Sequence, residues 1–78
     1  MFEYEFIIRR GKNYDLIINT LSRLGTEIER YSDASVGVTV YRIQSSNMTA
    51  MSVLAHAYED IIYMKMTKGL TQLVEPNA

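Results

Sequence analysis

The sequence predicts an α+β domain in which two helices lie on one side of a four-stranded antiparallel sheet. Three observations carry this. Four segments alternate apolar and polar residues, two others repeat apolar residues at helical spacing, and they follow in the order β-α-β-β-α-β.

Across Phe2 to Arg9, the residues Phe2, Tyr4, Phe6 and Ile8 share one side and Glu3, Glu5, Ile7 and Arg9 the other, as in a strand covered on one face. The period then lengthens. Tyr14, Ile17, Ile18, Leu21 and Leu24 mark a helix, with Asn13 as its cap, Gly25 where it stops, and Leu16 off the stripe and exposed. Thr26 to Ser32 alternates again, Ile28 against Glu27, Glu29 and Tyr31, and is polar enough for a sheet edge. Ser32-Asp33-Ala34-Ser35 supplies turn chemistry, and Val36, Val38 and Val40 then alternate with Gly37, Thr39 and Tyr41, completing a hairpin.

Met51, Leu54, Ala55 and Tyr58 mark the second helix, capped by Ser46, Asn47 or Thr49 and closed by Glu59-Asp60, which read as solvated turn residues. Ile61 to Thr67 forms the last strand, with Ile62, Met64 and Met66 inward and Ile61, Tyr63 and Lys65 outward. Leu70, Leu73 and Val74, ahead of Pro76, suffice for a short extra strand or turn. Right-handed crossovers put both helices on the same side. The expected sheet order is 4-1-3-2, the ferredoxin-like βαββαβ two-layer sandwich, with residues 1–78 as one domain and 70–78 as its tail.

Bulk properties narrow the chemistry. The chain has no cysteine, so neither a disulfide nor a thiolate metal site nor a thiol nucleophile is available. A formal charge of −1 offers little long-range attraction for nucleic acid or acidic membranes. The opening Met1-Phe2-Glu3-Tyr4-Glu5-Phe6 places acids where an export signal needs positive charge, and no apolar run spans a bilayer. A cytoplasmic location without a membrane partner is expected.

No constellation for catalysis is legible. His56 is a single exposed histidine, whereas a metal site or a catalytic dyad needs convergent partners. Glu3 with Glu5, and Glu27 with Glu29, share a face at about 6.8 Å, but an open sheet gives paired carboxylates no sheltered cleft. Met48, Met51, Met64 and Met66 read as packing residues. A non-enzymatic protein without cofactor or metal is the expectation.

The informative surface is the side of the sheet that the helices leave bare. Glu3, Glu5, Ile7 and Arg9 are expected there, with Glu27, Glu29, Tyr31, Thr39, Tyr41, Tyr63 and Lys65, and with Ile7, Tyr41 and Tyr63 clustered centrally. Tyrosine-bearing apolar centres with polar rims are typical of protein interfaces. The leading expectation is therefore an interaction or regulatory protein, of the inhibitor or adaptor type, that docks a protein partner on this face. A homodimer through the face or through sheet edges is one form of it. RNA binding is a weaker reading, because Ser35 to Tyr41 matches the RNA-binding strand pattern only in its glycine and last aromatic, and acids outnumber bases on the face.

A second site is suggested by Arg9-Arg10-Gly11-Lys12 and Asn13, which precede the first helix where its positive dipole end favours an anion. From Gly11 to Ser32, with glycine before the helix, Leu24-Gly25 at its end and Glu27-Ile28-Glu29 in the next strand, the pattern resembles ACT-type regulatory domains. That resemblance implies a small effector, often an amino acid, bound by Arg10, Gly11, Lys12 and Asn13.

Overall fold

A computed structural model describes residues 1–68; the expected extra strand at 70–78 lies outside them. The elements are β1 (Phe2–Arg9), α1 (Tyr14–Leu24), β2 (Thr26–Asp33), β3 (Val38–Ser45), α2 (Met48–Ala57) and β4 (Ile61–Lys68). All strand pairings are antiparallel, in the order β2-β3-β1-β4, which is the expected 4-1-3-2 read from the other edge. The α+β layering is consistent with a ferredoxin-like sandwich.

One apolar cluster holds the layers together. Tyr4, Phe6 and Ile8 of β1 meet Ile17, Ile18 and Leu21 of α1 and Met51 and Leu54 of α2, so both helices cover the same side of the sheet. The spacing of these residues, two along the strand and three or four along the helices, is what the sequence pattern required. Asn47 caps α2 by accepting from Ala50 N at 2.9 Å. Asn13 offers α1 no such side-chain bond. At the close of α1, a β-carbon on Gly25 would run into the Gln44 carbonyl, so the helix end can approach β3 only with glycine there.

The third strand faces the opposite way from expectation. Thr39, Tyr41, Ile43 and Ser45 are buried beneath the helices, whereas Val38, Val40, Arg42 and Gln44 point away from them. In the register with β1, Tyr41 lies opposite Phe6 and Ile43 opposite Tyr4. Energetics decide the matter, because turning the valines inward would carry Arg42 and Gln44 into the apolar layer with them. The buried Thr39 and Ser45 hydroxyls, by contrast, are satisfied: Thr39 Oγ1 meets Tyr14 Oη at 3.0 Å and Ser32 Oγ at 2.8 Å, and Ser45 donates to Leu24 O at 2.8 Å.

Other expected core residues are displaced by local irregularities. The hairpin turns over residues 34–37, with Gly37 at φ +67°, which leaves Val36 exposed at the tip. Register shifts put an extra residue in β2 at Ile28 and in β4 at Ile62, and both side chains are exposed instead of covered. Ile61 is buried in place of Ile62. Met51 is fully buried, but Met48 and Met66 are exposed.

Candidate functional site: the open side of the sheet

Residues opposite one another in an antiparallel pair point to the same side, so the registers link the four strands into rows. On the side away from the helices one row reads Tyr31, Val40, Ile7, Tyr63. The next, about 7 Å along the strands, reads Glu29, Arg42, Glu5, Lys65. No described element covers either row.

The first row is aromatic at both edges and aliphatic in the middle. Tyr31 and Tyr63 are 55% and 45% exposed. The second row alternates in sign. Arg42 pairs with Glu29 at 3.0 Å and with Glu3 at 3.6 Å, and Lys68 reaches Glu3 at 3.7 Å. Glu5 and Lys65 form no ion pair with the described residues.

Most residues expected on this face are there, namely Glu3, Glu5, Ile7, Arg9, Glu29, Tyr31, Tyr63 and Lys65. Three are not, the first being Thr39, which is buried on the helix side of β3. Tyr41 is fully buried on the helix side, roofed by the Arg30 guanidinium 5.2 Å from its ring centre. Glu27 is carried to that side by the Ile28 bulge, opposite Ile43, where it holds Arg30 at 2.8 Å. Val38, Val40, Arg42 and Gln44 take their places. Arg42 and Gln44 were the signal for this, since they continue the even-numbered series beyond Tyr41 with polar side chains.

Burial governs the ionisation of the two core tyrosines. It raises the Tyr4 phenol above its ordinary value and does the same for Tyr41, where the Glu27 charge adds to the rise and Arg30 opposes it. The hydrogen bond to Glu27 holds Arg30 more firmly protonated than usual.

The loop before α1 is built around an internal carboxylate. Asp60, expected to be solvated, is buried; its Oδ2 accepts from Asn13 N and its Oδ1 from Arg9 Nη1, both at 3.2 Å. Gly11 allows this approach, because a β-carbon there would sit 2.8 Å from both carboxylate oxygens. Arg10 stacks 5.1 Å over Tyr14 and donates to Ser32, leaving Lys12 exposed. Asp60 thus already stands where an anion at the start of α1 would bind.

A hollow of about 200 Å³ between α2 and β4 is lined by Ala55, His56 and residues Ile61 to Met64. His56 Nδ1 donates to Ser52 O at 2.9 Å. Among the described residues no group of three or more His, Asp or Glu converges as metal ligands, and no helix is long and apolar enough to cross a membrane. Compared with known protein families, curated proteins and solved structures, the chain matches none.

Proposed function

We propose that this chain is an interaction or regulatory domain of the inhibitor or adaptor type, a ferredoxin-like sandwich that docks a protein surface on the open side of its sheet. The observation that supports this is the row Tyr31, Val40, Ile7, Tyr63, an apolar band crossing all four strands with charged residues beside it. A flat apolar centre with a polar border suits a protein surface better than a small molecule, which needs a concave site. The alternating signs of the neighbouring row do not form the continuous basic track that a phosphate backbone requires. A small effector at Arg9, Arg10, Lys12 and Asn13 has less support, because Asp60 fills the anion position.

Site-specific photocrosslinking tests this reading. A photoreactive side chain replacing Tyr31 or Tyr63 is expected to yield protein adducts in cells, whereas one replacing Leu16 or Val53, exposed on the helices, yields none. Equal adduct formation from both sides of the molecule, or none from the sheet, overturns it.

A further inference from the structure

We propose that the surface fitting this face is a second copy of the chain, packed sheet to sheet about a two-fold axis that runs parallel to the strands between β3 and β1. The inference rests on the docking reading above and adds the identity of the partner. Such an axis lays β2 over the β4 of the second copy and β3 over its β1.

Both rows satisfy that operation. In the apolar row, Tyr31 comes over Tyr63 and Val40 over Ile7, so aromatic meets aromatic and aliphatic meets aliphatic. In the charged row the signs run minus, plus, minus, plus, from Glu29 through Arg42 and Glu5 to Lys65. Reversing that order places every charge over its opposite, Glu29 on Lys65 and Arg42 on Glu5, each contact occurring twice. Were the axis to lie across the strands along this row, each charge would meet itself. Electrostatics therefore select one axis.

The remaining geometry agrees. Four strands of eight residues present a face of about 500 Å², and two such faces bury about 1,000 Å², the lower bound for a biological interface and the size of a weak, reversible one. Dimerisation by strand addition is less suited, because the edge strands β2 and β4 are interrupted by the irregularities at Ile28 and Ile62. Glu5 and Lys65, unpaired among the described residues, gain partners in the face-to-face arrangement.

Sedimentation of the purified chain, from about 1 to about 100 µM, tests this with charge exchange. The unaltered chain is expected to form a dimer. Glu29→Lys and Lys65→Glu should each weaken it about tenfold at low salt, since each sets two like charges face to face. The double variant should recover, and so should an equimolar mixture of the two single variants, in which both contacts regain opposite signs. Residues 29 and 65 lie on opposite edges of one sheet, about 15 Å apart, so no pairing within a chain mimics the rescue.

Dimers indifferent to the single changes, or a double variant as weak as either single, overturn the axis. A chain that stays monomeric throughout overturns the second copy. If photoreactive replacements of Tyr63 then still form adducts with other proteins, docking stands without self-association; if they form none, both proposals fall.

Discussion

Tyr4 and Tyr41 each bury a hydroxyl without a hydrogen-bond partner among the described residues, that of Tyr41 near the charges of Glu27 and Arg30. An unsatisfied buried hydroxyl costs about 1–3 kcal/mol, so Tyr4→Phe and Tyr41→Phe are expected to leave stability unchanged or raise it by about 1 kcal/mol. The same burial makes stability fall at high pH. Both phenols have folded-state values above the ordinary one near 10, so their favourable contribution is complete below about pH 10. It is lost as the pH rises from there through the folded-state values. Urea midpoints measured at about pH 8 and about pH 11 should show a smaller alkaline loss in the Tyr4→Phe/Tyr41→Phe protein than in the unaltered one. An equal loss in both would mean that these phenols are solvated.

At the level of elements, the β2–β3 hairpin rests on its turn. Asp33 accepts from the Ser35 hydroxyl at 2.6 Å and from its N–H at 3.1 Å, which draws the Asp33 carboxyl below its usual value, and the Asp33 carbonyl accepts from Gly37 N at 3.0 Å. Gly37 closes the turn in the left-handed region. Gly37→Ala should therefore cost about 1 kcal/mol, readable as a lowered urea midpoint with an unchanged slope. An unaffected midpoint would show that the turn tolerates a side chain.

The same hairpin shows how far the sequence could be read. Both helices, all four strands and the sheet order were legible, because the period changes cleanly at Tyr14, Thr26, Met51 and Ile61. The facing of β3 was not. Val36, Val38 and Val40 alternate as regularly as Thr39, Tyr41 and Ile43, and a strand shifted by one residue exchanges its two faces. Only the bulk of Tyr41 and Ile43 and the polarity of Arg42 and Gln44 distinguish the choices. The bulges at Ile28 and Ile62 were equally hidden, since an inserted residue leaves no mark on a short alternating run. The clasp of Asp60 on Asn13 and Arg9 joins residues 47 and 51 positions apart, a relation that local pattern does not encode.

Over the whole molecule, the helices shield one side of the sheet and leave on the other a band of Tyr31, Val40, Ile7 and Tyr63 beside charges of alternating sign. The proposed docking depends on that asymmetry, and the proposed two-fold pairing depends in addition on the order of the charges. Both require β3 to turn Val40 toward solvent and Ile43 toward the helices. Because the chain contains no cysteine, a single introduced thiol reports on one position without interference. The direct measurement is the rate of maleimide labelling in dilute solution, for a Val40→Cys variant and an Ile43→Cys variant under native conditions. Rapid reaction at position 40 with strong protection at position 43, lifted only on unfolding, is the predicted result. Protection at 40 with rapid reaction at 43 would contradict the account.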